Sequence, residues 1–196
     1  MLVIDVEGSG TNYELHSMVS LGAIDFSNPS NQFYKECRIW EDAHIMDKAL
    51  AVCGYSREEI TDPRKISEGE MVHEFIAWAQ GVEDQTFVGQ NVSFDRDFVK
   101  AAAHRAGHTE WPFAYRTIDT HTLAWMHIIK RKIVPPLEHN HSALNLDAIL
   151  TYCGIPEEPK PHNALTGAKS HAEVASRLLY DKKLLPDFDR YDIPWL

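Results

Sequence analysis

The sequence predicts an α/β fold on a mixed five-stranded sheet, three strands antiparallel and two parallel, flanked by helices. Two features of segment order carry that expectation. Three strand-like runs follow one another near the start, and strand-like and helix-like segments then alternate, as they do where parallel strands are joined by crossover helices. Length supplies the third: 196 residues, 44% of them hydrophobic, suffice for one good core and are too few for two full-sized domains. Residues 1–196 are therefore expected to form a single domain.

The elements follow in order. "LVIDV" (2–6) is a short β-branched run that meets acids at Asp5 and Glu7, and "MVSLGAIDF" (18–26) and "QFYKECRIW" (32–40) complete an antiparallel meander. "ISEGEMVHEFIAWAQG" (66–81) sets Met71, Phe75, Trp78 and Ala79 at helical spacing and should stop at Gly81. "TFVGQN" (86–91) is the next strand, and "SFDRDFVKAAAHRAG" (93–107) a helix ended by Gly107. "YRTIDT" (115–120) is a fifth strand that opens directly into the helical "HTLAWMHIIK". "SALNLDAILTYCG" (142–154) reads as a helix with a glycine stop, and a last helix runs from about 162 to 180. The proline-rich "VPPLEHNH" (134–141) and "GIPEEPKPH" (154–162) read as loops bordering a cleft.

Composition narrows the function. A formal net charge of −10 argues against a broad basic surface gripping a long duplex, because such binding needs many cations to displace counterions. It leaves room for a nucleic-acid enzyme in which bound metal ions supply the positive charge. Cys37, Cys53 and Cys153 are odd in number and widely spaced, so buried thiols are expected, not disulfides or a zinc site. No apolar stretch approaches the ~20 residues of a membrane span, and Met1 leads straight into the first strand, so the expected location is cytoplasmic, without a membrane partner.

Three carboxylates stand at strand ends. Asp5 and Glu7, two apart on a strand, share a face where ligands usually approach a sheet, and their mutual repulsion is relieved by a cation such as Mg²⁺ or Mn²⁺. Asp95 falls in the first turn of the helix after the next strand, where an adjacent strand end could bring it against the first pair. His162 offers a side chain that ordinarily titrates near neutrality and suits a general base. His139 and His141 lack a third ligand, and Lys130 to Lys132 read as solvated surface; with Arg96, Lys100 and Arg105 they could help attract a phosphate backbone.

Taken in order, "VIDVEGSG", "HSMVSLGAI", "VGQNVSFD", "RTIDTHTLA" and "HNALTGAKSHAEV" resemble the DEDDh 3′-5′ exonucleases, over about residues 1–180. The resemblance implies a ribonuclease H-like fold in which Asp5, Glu7 and Asp95 match the metal-binding acids and His162 matches the general base. It also implies substrate contacts at Gly8, Ser9, Asn91 and Phe94. Asp119 falls on the family's D-T pair as a supporting residue, and "AVCGYSREEI" (51–60) matches the segment beside the 3′-terminal nucleotide. The expected cofactors are two Mg²⁺ or Mn²⁺ ions. The expected partners are single-stranded 3′ ends or short oligonucleotides of DNA or RNA, with a homodimer allowed.

The chain departs from that pattern at one point that bears on catalysis. Five residues after His162 the family carries an aspartate, and this chain has Gly167; the first acid after His162 is Glu173. Gly8 in place of a threonine and Cys53 in place of a frequent histidine bear on nucleotide preference. His171 lies roughly on the face of position 167 but about 6 Å further along the axis, and Glu173 points about 120° away. Both read as solvent-facing, with a water filling the space above Gly167, so that an aspartate there would restore the missing charge. The reading is a metal-dependent exonuclease in which His162 deprotonates the attacking water and a nucleoside 5′-monophosphate leaves. The alternative is a weakened or inactive exonuclease-fold module that binds nucleic acid or a protein.

Overall fold

The computed structural model describes residues 1–196, and it bears out the mixed sheet. β1 (Leu2–Gly8), β2 (Met18–Asp25) and β3 (Gln32–Glu36) form the antiparallel meander. α1 (Asp47–Cys53) and α2 (Arg57–Ile60) follow, then α3 (Glu68–Ala79), β4 (Phe87–Gly89), α4 (Ser93–Arg105), β5 (Thr117–Asp119) and α5 (Thr120–Lys130). A hairpin of β6 (Leu137–Glu138) and β7 (His141–Ser142), then α6 (Leu146–Tyr152) and α7 (Ala164–Tyr180), complete the chain but for a 3-10 turn at Pro186–Phe188. Strand order is β3-β2-β1-β4-β5, with β4 and β5 parallel to β1.

Alternation along β1 sorts its side chains between two cores. Leu2, Ile4 and Val6 join Phe75, Phe87 and Phe98 under α3 and α4, while Val3 on the opposite face packs with Ala168, Ala172 and Ala175 of α7. Asp5 and Glu7 share Val3's face, as a period of two requires. β1 pairs with β4 only at Leu2 and Val3, and the register with β2 shifts at Glu7/Gly8. The sheet thus opens beside the last residues of β1, the place where α/β sheets admit ligands.

Several boundaries differ from expectation for local reasons. The last helix begins at Ala164 because Asn163 caps it, its side chain accepting from the Leu165 and Thr166 N–H groups; His162 precedes the helix and is not in its first turn. The helix expected over 142–154 is shortened to Leu146–Tyr152 by its Asn145 cap and by the hairpin, whose turn residues His139 and Asn140 both take positive φ. The third strand stops at Glu36 rather than running on to residue 40. α1 and α2 were not foreseen; α2 is started by a Ser56/Glu59 capping box. Cys37, Cys53 and Cys153 are free and buried, as expected.

α7 is anchored at its far end by a buried ion pair. Arg177 Nε donates to Glu173 Oε1 at 2.7 Å with both side chains fully buried, and the remaining guanidinium nitrogens donate to the carbonyls of Cys153, Phe188, Tyr191 and Asp192. Glu173 Oε2 accepts from the Leu184 and Leu185 N–H groups. Removing one partner leaves a buried charge and several carbonyls unmatched, which typically costs about 3–5 kcal/mol. Arg177→Met should therefore lower the thermal midpoint by roughly ten degrees or more, at the ~2–4 °C per kcal/mol of a chain this size. A midpoint within two degrees of wild type in a calorimetric scan contradicts the anchoring role.

Candidate functional site

The acids of β1 and α4 meet where the sheet opens. Asp95, at the third position of α4, is 3% exposed, and its Oδ1 accepts the Val6 N–H at 3.0 Å across 89 residues of sequence. That N–H lies beyond the part of β1 that β4 covers, so the aspartate completes the strand's hydrogen bonding at the residue between Asp5 and Glu7. Burial raises the Asp5 carboxyl well above the usual range, with Glu158 as its main charged opponent. Burial likewise raises Asp95, with Asp5 opposing it, and pushes Glu7 from 4.5 to about 8, with Asp5 and Glu158 adding repulsion.

The space above Gly167 is not open. A Cβ at that position would fall within the Asp5 carboxylate, 2.7 Å from its Cγ, so the Asp5 side chain fills the place that had been assigned to water. His171, read as solvent-facing, is 2% exposed and brings Nε2 to 3.4 Å from Asp5 Oδ1, while its Nδ1 is buried without a partner. Burial holds its imidazole below the ordinary histidine range. Glu173, also read as solvent-facing, is fully buried and committed to Arg177 and the 184–185 backbone. Both corrections have one cause: α7 is nearly enclosed from Ser170 to Leu178.

His162 stands at the edge of this group with its side chain 31% exposed. Its N–H donates to the Val52 carbonyl at 3.0 Å, which holds the loop to α1. Beside it opens a groove of about 750 Å³ lined by Ala51, Val52, Gly54, Asp147, Lys160, Pro161 and His162. Its Nδ1 lies 3.9 Å from Oε2 of Glu158, a carboxylate that the sequence reading passed over as part of a proline-rich loop. The one available signal was its position, four residues ahead of the histidine.

Other expectations divide. Ser9 is fully buried, its hydroxyl donating to the His44 carbonyl and accepting the Ser17 N–H, so it ties loops together and offers no surface to a substrate. Asn91 is exposed at positive φ, and Phe94 is half-buried against Phe98, with ring centroids 4.8 Å apart. Asp119 caps α5 through the His121 N–H and accepts the Val92 N–H, a supporting role. Arg105 is tied to Glu68 and the Tyr13 carbonyl, and Arg96 to Asp97 and the Tyr115 carbonyl, so neither is a free phosphate cation. His139 and His141 lie in the exposed hairpin.

The donor set suits a hard divalent cation, since it is almost all carboxylate oxygen. No three histidine, cysteine, aspartate or glutamate side chains close around one point as the ligands of an ion. Asp5 is turned toward α7, and Asp95 toward the Val6 N–H.

Comparison with known proteins gives this arrangement a family. Ribonuclease T of Yersinia pseudotuberculosis is 30% identical over 139 residues, 63% of this chain and 63% of its own length. The nuclease domain of 3′hExo, a DEDDh family member bound to rAMP, superposes with a TM-score of 0.68 at 17% identity, covering 94% of this chain and 93% of that one. The zinc-bound complex of Escherichia coli exonuclease I with single-stranded DNA gives 0.71 at 16% identity, over 92% of this chain and 41% of that one. These two structures share the fold. The family model described as RNase_T, exonuclease, matches residues 2–175, so the chain belongs to that exonuclease family.

Proposed function

We propose that the protein is a divalent-cation-dependent 3′-5′ exonuclease that releases nucleoside 5′-monophosphates from single-stranded ends or short oligonucleotides. The observation that carries this is the set of acids at the open end of β1, with Asp5, Glu7 and Asp95 all pushed toward their neutral forms by burial and mutual repulsion. Such a group is poorly suited to a purely structural role and suited to holding Mg²⁺ or Mn²⁺. Family membership, the single-stranded DNA held by exonuclease I and the rAMP held by the 3′hExo nuclease domain support the substrate class.

Asp5, Glu7 and Asp95 would hold the cations, which when bound supply positive charge to the reacting phosphate and its leaving oxygen. His162, at the exposed edge, would take the proton from the attacking water. Gly8, Asn91 and Phe94 would contact the terminal nucleotides, and the groove beside His162 would receive the strand's end, with Lys160 as a nearby cation.

Asp5→Asn should abolish release of mononucleotides from a 3′-labelled oligomer while the fold persists. The metal-free protein should gain stability from the same change. In wild type, Glu7 holds its proton up to about 8 whereas the unfolded chain releases it near 4.5, so metal-free stability falls as pH rises between those values. Removing the Asp5 charge lessens that fall. Unfolding of Asp5→Asn at neutral pH contradicts the assignment.

His162→Ala should lower turnover by ~10²–10⁴-fold, with activity recovering at high pH and cation binding unchanged. An unaltered rate at neutral pH removes His162 from the chemistry.

Gly167→Asp should now weaken the protein and not repair it. The new Cβ displaces the Asp5 carboxylate, an overpacking that typically costs about 1–3 kcal/mol. The metal-free thermal midpoint and the activity should both fall. Tighter cation binding at an unchanged midpoint contradicts the close contact.

A further inference from the structure

Glu158 is an inward-turned acid in an outward-facing loop. Glu157 and Pro159 on either side are exposed, yet Glu158 is 7% exposed as a residue and 3% as a side chain. Burying a carboxylate is unfavourable unless a partner offsets its lost hydration. Here the compensation is incomplete. Oε1 is buried with no hydrogen-bond partner, Oε2 lies 3.9 Å from Nδ1 of His162, beyond hydrogen-bond reach, and the Asn163 backbone N–H gives the carboxylate its one polar support. The chain around it is firmly placed by the His162 N–H on the Val52 carbonyl and by Asn163, which caps α7 and donates to the Tyr34 hydroxyl at 2.8 Å.

We propose that Glu158 is the fourth carboxylate of the cation site, supplying from the loop ahead of His162 the charge that Gly167 cannot carry from the helix behind it. The inference rests on the divalent-cation reading above. Position 167 is excluded because Asp5 lies where its side chain would be. Between Ile155 and Leu178 the chain has three acids: Glu157 is exposed, Glu173 has both oxygens committed, and Glu158 alone keeps a buried, unpartnered oxygen. Its Oε2 lies beside His162, and its charge adds to the repulsion on the Asp5 and Glu7 carboxyls. His171 brings no negative charge. Its contact with Asp5 Oδ1 makes it a positioning residue for that ligand.

Mn²⁺ titration by calorimetry, with Mn²⁺-dependent thermal melts, tests the assignment on wild type, Glu158→Gln, Glu158→Asp and Glu157→Gln. Glu158→Gln preserves size and removes charge, so its metal-free midpoint should equal or exceed wild type while its Mn²⁺ affinity falls about tenfold to a hundredfold. Glu158→Asp should fall between the two, and Glu157→Gln should match wild type. Wild-type affinity in Glu158→Gln overturns the proposal while leaving the cation reading standing. So does unchanged affinity with a shifted pH profile of turnover, which would make Glu158 an orienting partner of His162. Unfolding of both Glu158 variants would make its role structural and overturn it. Absence of Mn²⁺ binding by wild type removes the cation reading itself and this inference with it.

Discussion

The close approach of α7 to the middle of the sheet is the constraint on which the site depends. A Cβ at Gly22 of β2 would fall within the Ala164 backbone, and one at Gly167 within the Asp5 carboxylate. Ala168, Ala172 and Ala175 continue the same small-residue contact against Val3, Ile24 and Val88. Short side chains let the helix axis come close to the strands, as close packing demands. Asp5 is then confined between β1 and α7, and His171 is carried inward to meet it.

That confinement sets the electrostatics. Asp95 is buried and Asp5 and Glu7 are only partly exposed, and every carboxylate added raises the free energy of ionising the rest. Rigidity has to come from elsewhere. It comes from the opposite end of α7, where Arg177 gathers four backbone carbonyls and Glu173, and from Glu68, which accepts from Ser17, Met18 and Arg105 to bind α3 and α4 to β2. A site that repels itself is held in a frame with well-satisfied buried charges.

The parts of this that the sequence displays are those governed by local periodicity. Alternation in "LVIDVEG" puts Asp5 and Glu7 on one face whatever the tertiary packing, and a strand followed by "NVSFD" puts Asp95 in a first helical turn. Glu158 was invisible because an acid flanked by Glu157 and Pro159 in a loop has the ordinary pattern of a solvated one, and only folding shows which way it turns. His171 and Glu173 were misjudged because their polarity outweighed the alanines around them; a helix buried on nearly every side has no polar face for them to occupy. Gly167 reads in sequence as a missing acid. In the fold it is the gap that admits Asp5, a property of what lies opposite and not of the residue itself.

The charge balance of the whole chain follows from the same economy of cations. The net charge is −10, and Arg96, Arg105 and Arg177 are all engaged internally and not free to receive a phosphate. Lys160, exposed, lines the groove beside His162, two residues after the inward-turned Glu158. One short loop therefore presents a histidine, a lysine and a buried acid within five residues, while β1 and the first turn of α4 contribute Asp5, Glu7 and Asp95. On the cation-dependent reading proposed above, binding of an anionic strand would be tied to prior occupation of the acids by cations, because carboxylates that ionise at the end of β1 repel phosphate.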